Sequence, residues 1–263
     1  MRKTIFPAVV VFAAGLLAQA VSRAAESVEG RPGVEQLFLF MEVPKPVASV
    51  ILFPGGNGRS GIDSVGIRDT RSNNFLARSR ALFAEQGFNA AFVDVPSDRR
   101  DSKGLAAFRA TSDHARDIEA VARFLRTRAD VPVFAVGTSR GTISAANAAA
   151  RLPADLIAGS VLTSTITRPS KNNPDSVLDV DMQAIRTPVL VVYHEKDGCS
   201  VTRPRDVPNL MARLAGKDAT VLAITGGGPD EVDACEGRTY HGYLRREAET
   251  VGRIGDWIKS KPK

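Results

Sequence analysis

Cysteine and histidine are scarce in this chain of 263 residues, with two of the first and three of the second. Cys199 and Cys235 stand 36 positions apart with no C-x-x-C spacing, which removes the usual structural zinc site, and no metal is expected. Past residue 24 no segment is apolar enough to cross a bilayer, so no stable membrane anchor is expected. No basic run is interleaved with aromatics, which argues against a nucleic-acid partner. Arg2, Lys3 and Arg23 contribute three of the net +6, leaving +3 for residues 25–263, and the arginines scattered from Arg59 to Arg128 read as a solvated surface. Repeats and low-complexity linkers are also absent.

The one long apolar run lies at the start. Arg2 and Lys3 precede apolar residues 5–17, and Ala18-Gln19-Ala20 or Ser22-Arg23-Ala24 supplies small residues for cleavage. Residues 1–24 thus read as a secretory signal peptide, with no nearby cysteine for a lipid anchor. Residues 25–263 are then a secreted or periplasmic single domain of 239 residues, large enough for a full core. In an oxidising compartment Cys199 and Cys235 are expected to pair, the alternative being two buried free thiols.

That domain alternates strand-like and helix-like segments, the pattern of a mostly parallel, doubly wound α/β sheet flanked by helices. Strands are expected at residues 33–43, 47–53, 88–95, 131–136, 157–163, 188–193 and 219–225. Helices are expected at residues 75–86, 112–126, 144–151, 208–214 and 243–258, the last with Leu244, Val251, Ile254, Trp257 and Ile258 facing the sheet.

The most informative stretch is the Val-rich run at 131–136 that empties into Gly137-Thr138-Ser139-Arg140-Gly141, followed by an Ala-rich helical run. Strand, Gly-x-Ser-x-Gly, helix is the context of a nucleophile elbow, which lifts the serine hydroxyl to the N-terminus of a helix. Unpaired amides and partial positive charge at that helix end suit a developing oxyanion. Gly56-Asn57-Gly58-Arg59-Ser60-Gly61 also fits the dinucleotide fingerprint G-x-G-x-x-G, but a long polar stretch (62–74) follows instead of a helix, and Asp94 comes too late to hold a ribose. Nucleotide binding is rejected on that ground.

On these segments the chain resembles the α/β-hydrolase superfamily, and the resemblance spans nearly all of residues 25–263. In that family nucleophile, acid and histidine follow one another in this order on loops at one sheet edge. The resemblance implies Ser139 as nucleophile, Asp197 as the acid that orients the base, and His241 as the base. Glu195 is a rival acid on the same loop, and Asp175, Asp179 or Asp181 would serve if the acid followed the preceding strand. Of the other histidines, His114 falls within a helix and His194 ends a strand beside the acid, so both read as structural.

The resemblance further implies an oxyanion hole made by the Arg140 amide and by Gly56 or Asn57 in the loop after residues 47–53. Only about 24 residues separate Thr163 from Pro188, which implies no large cap and resembles dienelactone hydrolases and compact esterases. The implied activity is hydrolysis of a small-molecule carboxylic ester without metal or organic cofactor. An amidase or peptidase would use the same residues, and a catalytically inactive binding protein on this fold is the rival of another kind. The guanidinium groups of Arg59, Arg68 and Arg140 could select an anionic acyl group, though solvent-facing roles read better. A Cys199–Cys235 bond would join the acid loop to the histidine loop and contribute about 3–4 kcal/mol.

Overall fold

The computed structural model describes residues 22–63, 66–67, 73–170 and 174–262. Its main sheet has eight strands: β1 (Ser22–Arg31), β2 (Val34–Glu42), β3 (Ala48–Phe53), β6 (Phe88–Pro96), β7 (Val133–Thr138), β8 (Gly159–Thr163), β9 (Val189–His194) and β10 (Ala219–Ile224). Their spatial order is β1-β2-β6-β3-β7-β8-β9-β10, with β2 antiparallel to both neighbours and every pair from β6 to β10 parallel. A small antiparallel pair, β4 (Ile62–Asp63) and β5 (Gly66–Ile67), stands apart.

Parallel strands covered on both faces need apolar side chains in both directions, and β3 shows it. Ile51 and Phe53 point into one core, with α2 (Ser112–Arg128) and α3 (Gly141–Arg151). Val50 and Leu52 point into the other, with α1 (Phe75–Glu85) and α5 (Glu247–Lys259). A short helix, α4 (Val207–Arg213), precedes β10 and inserts Leu210 into the first core. Two helix starts are capped by side chains, Asn74 of α1 accepting from the Leu76 amide and Thr111 of α2 from that of His114.

Two features depart from the expected elements, the first strand and the start of the last helix. The chain has an additional first strand, β1, whose residues carry little hydrophobic signal because they form an antiparallel edge. Of the expected signal peptide, residues 1–21 lie outside the described residues, while Ser22, Arg23 and Ala24 pair with Glu42, Met41 and Phe40. The last helix starts at Glu247 and not at Tyr243, because Tyr243 and Arg245 hold φ of 55° and 66°, left-handed values that no α-helix accommodates. The arginines after Arg59 are also not all solvated: Arg109 is 1% exposed.

Candidate active site

Between β7 and α3 the chain reverses within two residues. Ser139 takes the left-handed φ of 52°, a strain of about 1–3 kcal/mol for a residue with a side chain. Hydrogen bonds impose it: the Ser139 amide donates to the Thr163 carbonyl at 3.0 Å, and its own carbonyl accepts from the Thr142 amide at 3.0 Å and hydroxyl at 2.6 Å. The flanking glycines are obligatory. A Cβ on Gly137 would sit 2.2 Å from the Gly141 carbonyl oxygen, and one on Gly141 would sit 2.1 Å from that of Phe53. Gly-x-Ser-x-Gly is therefore a packing requirement of this turn.

His241 sits in a helical turn, Tyr240–Gly242, and Asp197 on the loop after β9, and both are buried. The imidazole Nδ1 lies 3.0 Å from Asp197 Oδ2. The other carboxylate oxygen accepts the Cys199 amide at 2.9 Å, which fixes the rotation of the group. Thr202 was not singled out by the sequence, yet its hydroxyl donates to Asp197 Oδ2 at 2.9 Å and lies 3.1 Å from His241 Nδ1. Held this way, the ring keeps Nδ1 toward the carboxylate and leaves Nε2 for the cavity.

The backbone of the histidine turn is braced as well. Ser164 donates its hydroxyl to the His241 carbonyl at 2.7 Å, and the buried Tyr243 hydroxyl links the Ser164 amide to the Val192 carbonyl. From α1, Arg78 donates to the carbonyls of Gly237 and Gly242. A disulfide joins Cys199 to Cys235 and so ties the acid loop to the segment before the histidine.

Ser139 and His241 line one cavity of about 280 Å³ with Gly55, Gly56, Asn57, Asn74, Phe75 and Glu236. Gly56 has φ of 60° and open space where a Cβ would be, so nothing stands between its backbone and the cavity. No described group accepts a hydrogen bond from the amides of Gly56, Asn57 or Arg140. Beyond them the loop is anchored by Asp94, whose carboxylate accepts the amides of Ser60, Ile62 and Val95 at 2.8, 2.9 and 2.8 Å. The G-x-G-x-x-G segment thus leads into β4 and not into a helix, and Asp94 serves as its clamp.

The rival acids are placed elsewhere. Glu195 is solvent-exposed, Asp175 accepts the Ala107 amide at 2.6 Å, and Asp179 and Asp181 accept backbone amides at the starts of two short helical turns. His194 bonds the Gly226 carbonyl through Nε2 and accepts the Lys196 amide on Nδ1. His114 packs 2.9 Å from the Ser144 hydroxyl, and burial together with Arg109 and Arg31 pushes its pKa down to about 3. Arg59 is exposed at the cavity wall, whereas the Arg140 guanidinium turns away to Ser170 at 2.7 Å; Arg68 lies outside the described residues.

No protein-family profile matches the sequence, and no curated protein matches it. Among solved structures the chain is similar to a cold-adapted esterase from an Arctic intertidal metagenomic library, with 17% identity over 92% of this chain and 95% of that one, at a TM-score of 0.62. It is similar to an esterase of Pyrococcus furiosus, with 14% identity over 97% of both chains and a TM-score of 0.62. A lidless α/β serine hydrolase of Xanthomonas campestris matches at 15% identity over 91% of this chain and 97% of that one, with a TM-score of 0.58. The chain has the α/β-hydrolase fold, and no large cap interrupts it between β8 and β9. Among the described residues no helix is long and apolar enough to cross a membrane, and the disulfide fits an extracytoplasmic protein.

Proposed function

We propose that this protein is an exported serine hydrolase that cleaves carboxylic esters through an acyl-enzyme. The observation that carries the reading is the strained Ser139 sharing a cavity with His241, whose other ring nitrogen is held by a buried carboxylate. Ser139 Oγ attacks the ester carbonyl while His241 Nε2 takes its proton, and Asp197 stabilises the imidazolium. The amides of Arg140 and of Gly56 or Asn57 receive the oxyanion. Collapse of the tetrahedral intermediate expels the alcohol, which takes the proton from His241. Water, deprotonated by the same ring, then attacks the acyl-serine and releases the acid.

Phe75 is the one large apolar side chain lining the cavity among the described residues, which supports short or polar acyl groups over long aliphatic chains. Export through cleavage after Ala20 would leave β1 whole, whereas cleavage after Ala24 would remove its first three pairs. The test of the activity is labelling by a fluorophosphonate. The wild-type protein is expected to label and Ser139→Ala is not, with short-chain esters turned over ahead of matched amides. A folded wild-type protein that neither labels nor hydrolyses any ester would sink the reading.

A further inference from the structure

Arg109 lies in the loop before α2 and is buried without a hydrogen bond to any carboxylate among the described residues. Its Nη2 donates to the Pro54 carbonyl at 3.0 Å and reaches that of Gly56 at 3.4 Å. Its Nη1 donates to the Ser144 hydroxyl, on the first turn of α3, at 2.8 Å. One rigid guanidinium therefore bridges the two elements that carry the candidate oxyanion donors. The loop is shaped to admit it: Gly58 holds φ of 86°, and a Cβ there would lie 2.9 Å from Nη2 and 2.7 Å from Leu105.

We propose that Arg109 is a positioning residue of this site, tying the 54–58 loop to α3 and so fixing the spacing of the amides that receive the oxyanion. The tie stands on the hydrogen bonds alone, while its catalytic consequence rests on the hydrolase reading. In a planar trans peptide C=O and N–H point oppositely, so carbonyls drawn toward Arg109 turn the N–H groups of their own peptide units away from it. An apolar side chain at 109 would be cheaper to bury, which makes the retained cation informative. Burial, and then repulsion from Arg140, push its pKa down to about 9, so at neutral pH it stays charged and adds positive potential behind the oxyanion. A lysine has one donor centre on a flexible stem and cannot span two carbonyls and a hydroxyl in a fixed plane.

The experiment compares wild type with Arg109→Lys, Arg109→Met and Ser144→Ala. It measures kcat and KM on a short-chain p-nitrophenyl ester, the fluorophosphonate labelling rate, and amide hydrogen exchange over residues 54–58. Folded Arg109→Lys is expected to lose about 10- to 100-fold in kcat with KM within about twofold, labelling to slow in proportion, and exchange at 54–58 to quicken. A folded Arg109→Lys with kcat within about twofold of wild type and unchanged exchange overturns the proposal. Should both Arg109 variants fail to fold, Ser144→Ala decides: about threefold lower kcat with faster exchange supports it, and no change in either overturns it. If the wild-type protein proves unreactive, the hydrolase reading falls by itself, and exchange in Arg109→Met still decides the tie.

Discussion

His114 and His241 are both buried, and each ring contacts a hydroxyl, yet their surroundings are opposite. His241 faces the Asp197 carboxylate and the Thr202 hydroxyl on one side and the cavity on the other. His114 faces Ser144, with Arg109 and Arg31 near enough to disfavour its protonation, and its Nδ1 has no partner among the described residues. Burial alone does not make a base. A ring that must become an imidazolium during a reaction needs a carboxylate behind it and open space for a substrate before it, and of these two rings His241 has the carboxylate and the cavity.

The sharpest way to break this comparison is to remove each ring in turn. His241→Ala and Ser139→Ala are each expected to lower kcat by about 10⁴- to 10⁶-fold, whereas His114→Gln should stay within about tenfold of wild type. Steady-state kinetics on one short-chain ester decides it, and comparable losses at both histidines would dissolve the distinction. Next in size is the carboxylate. Asp197→Asn keeps the shape but presents an amide to Nδ1, and a loss of about 10³- to 10⁴-fold in kcat is expected. Thr202→Val, which leaves the carboxylate in place, should cost only about 3- to 10-fold.

The disulfide sharpens the same contrast, since it touches the His241 region alone. Reduction frees Cys199, whose amide orients Asp197, from Cys235, which lines the cavity. Loss of about 3–4 kcal/mol of stability is expected. A several-fold fall in activity below the unfolding transition should accompany it, read by denaturant titration and ester turnover with and without reductant. Stability lost with activity intact would confine the bond to holding the fold.

How much of this was legible in the chain follows the same division. The elbow announces itself because two glycines are demanded by backbone contacts only four residues apart, so the constraint is local and leaves a motif. Asp197 and His241 follow from the family resemblance, which expects an acid on a loop after a late strand and a histidine before the last helix. Ser164 and Arg109 act through contacts whose partners lie 77 and 55 positions away, and Thr202 reaches His241 across 39 positions although its other partner, Asp197, is only five residues off. Arg109 is flanked by Leu105, Ala106, Ala107, Phe108 and Ala110, an apolar setting outweighed by the reading of the scattered arginines as a solvated surface. The Asx-type bond from the Cys199 amide to Asp197 is the exception, a local bond that an Asp-Gly pair invites. Edge strand β1 was missed for the converse reason: an exposed strand needs no apolar alternation, so its pairing with β2 leaves no pattern to find.

The smallest expected effect concerns stability and singles out His114. Its pKa is lowered from 6.5 to about 3 in the folded protein, first by burial and then by Arg109 and Arg31. Below pH 6.5 the unfolded chain takes up a proton that the native ring refuses, so unfolding is favoured progressively until the loss levels near the folded value. Between pH 6.5 and about pH 5, before most carboxylates titrate, this linkage should remove about 1.5 kcal/mol of stability. His114→Gln, which keeps a side chain able to bond Ser144, should abolish that portion of the slope while leaving the rest of the acid limb unchanged. Urea unfolding of both proteins across this window measures it. Identical slopes would mean that the ring is protonated in the native state, and the contrast with His241 would then rest on the cavity and the carboxylate alone.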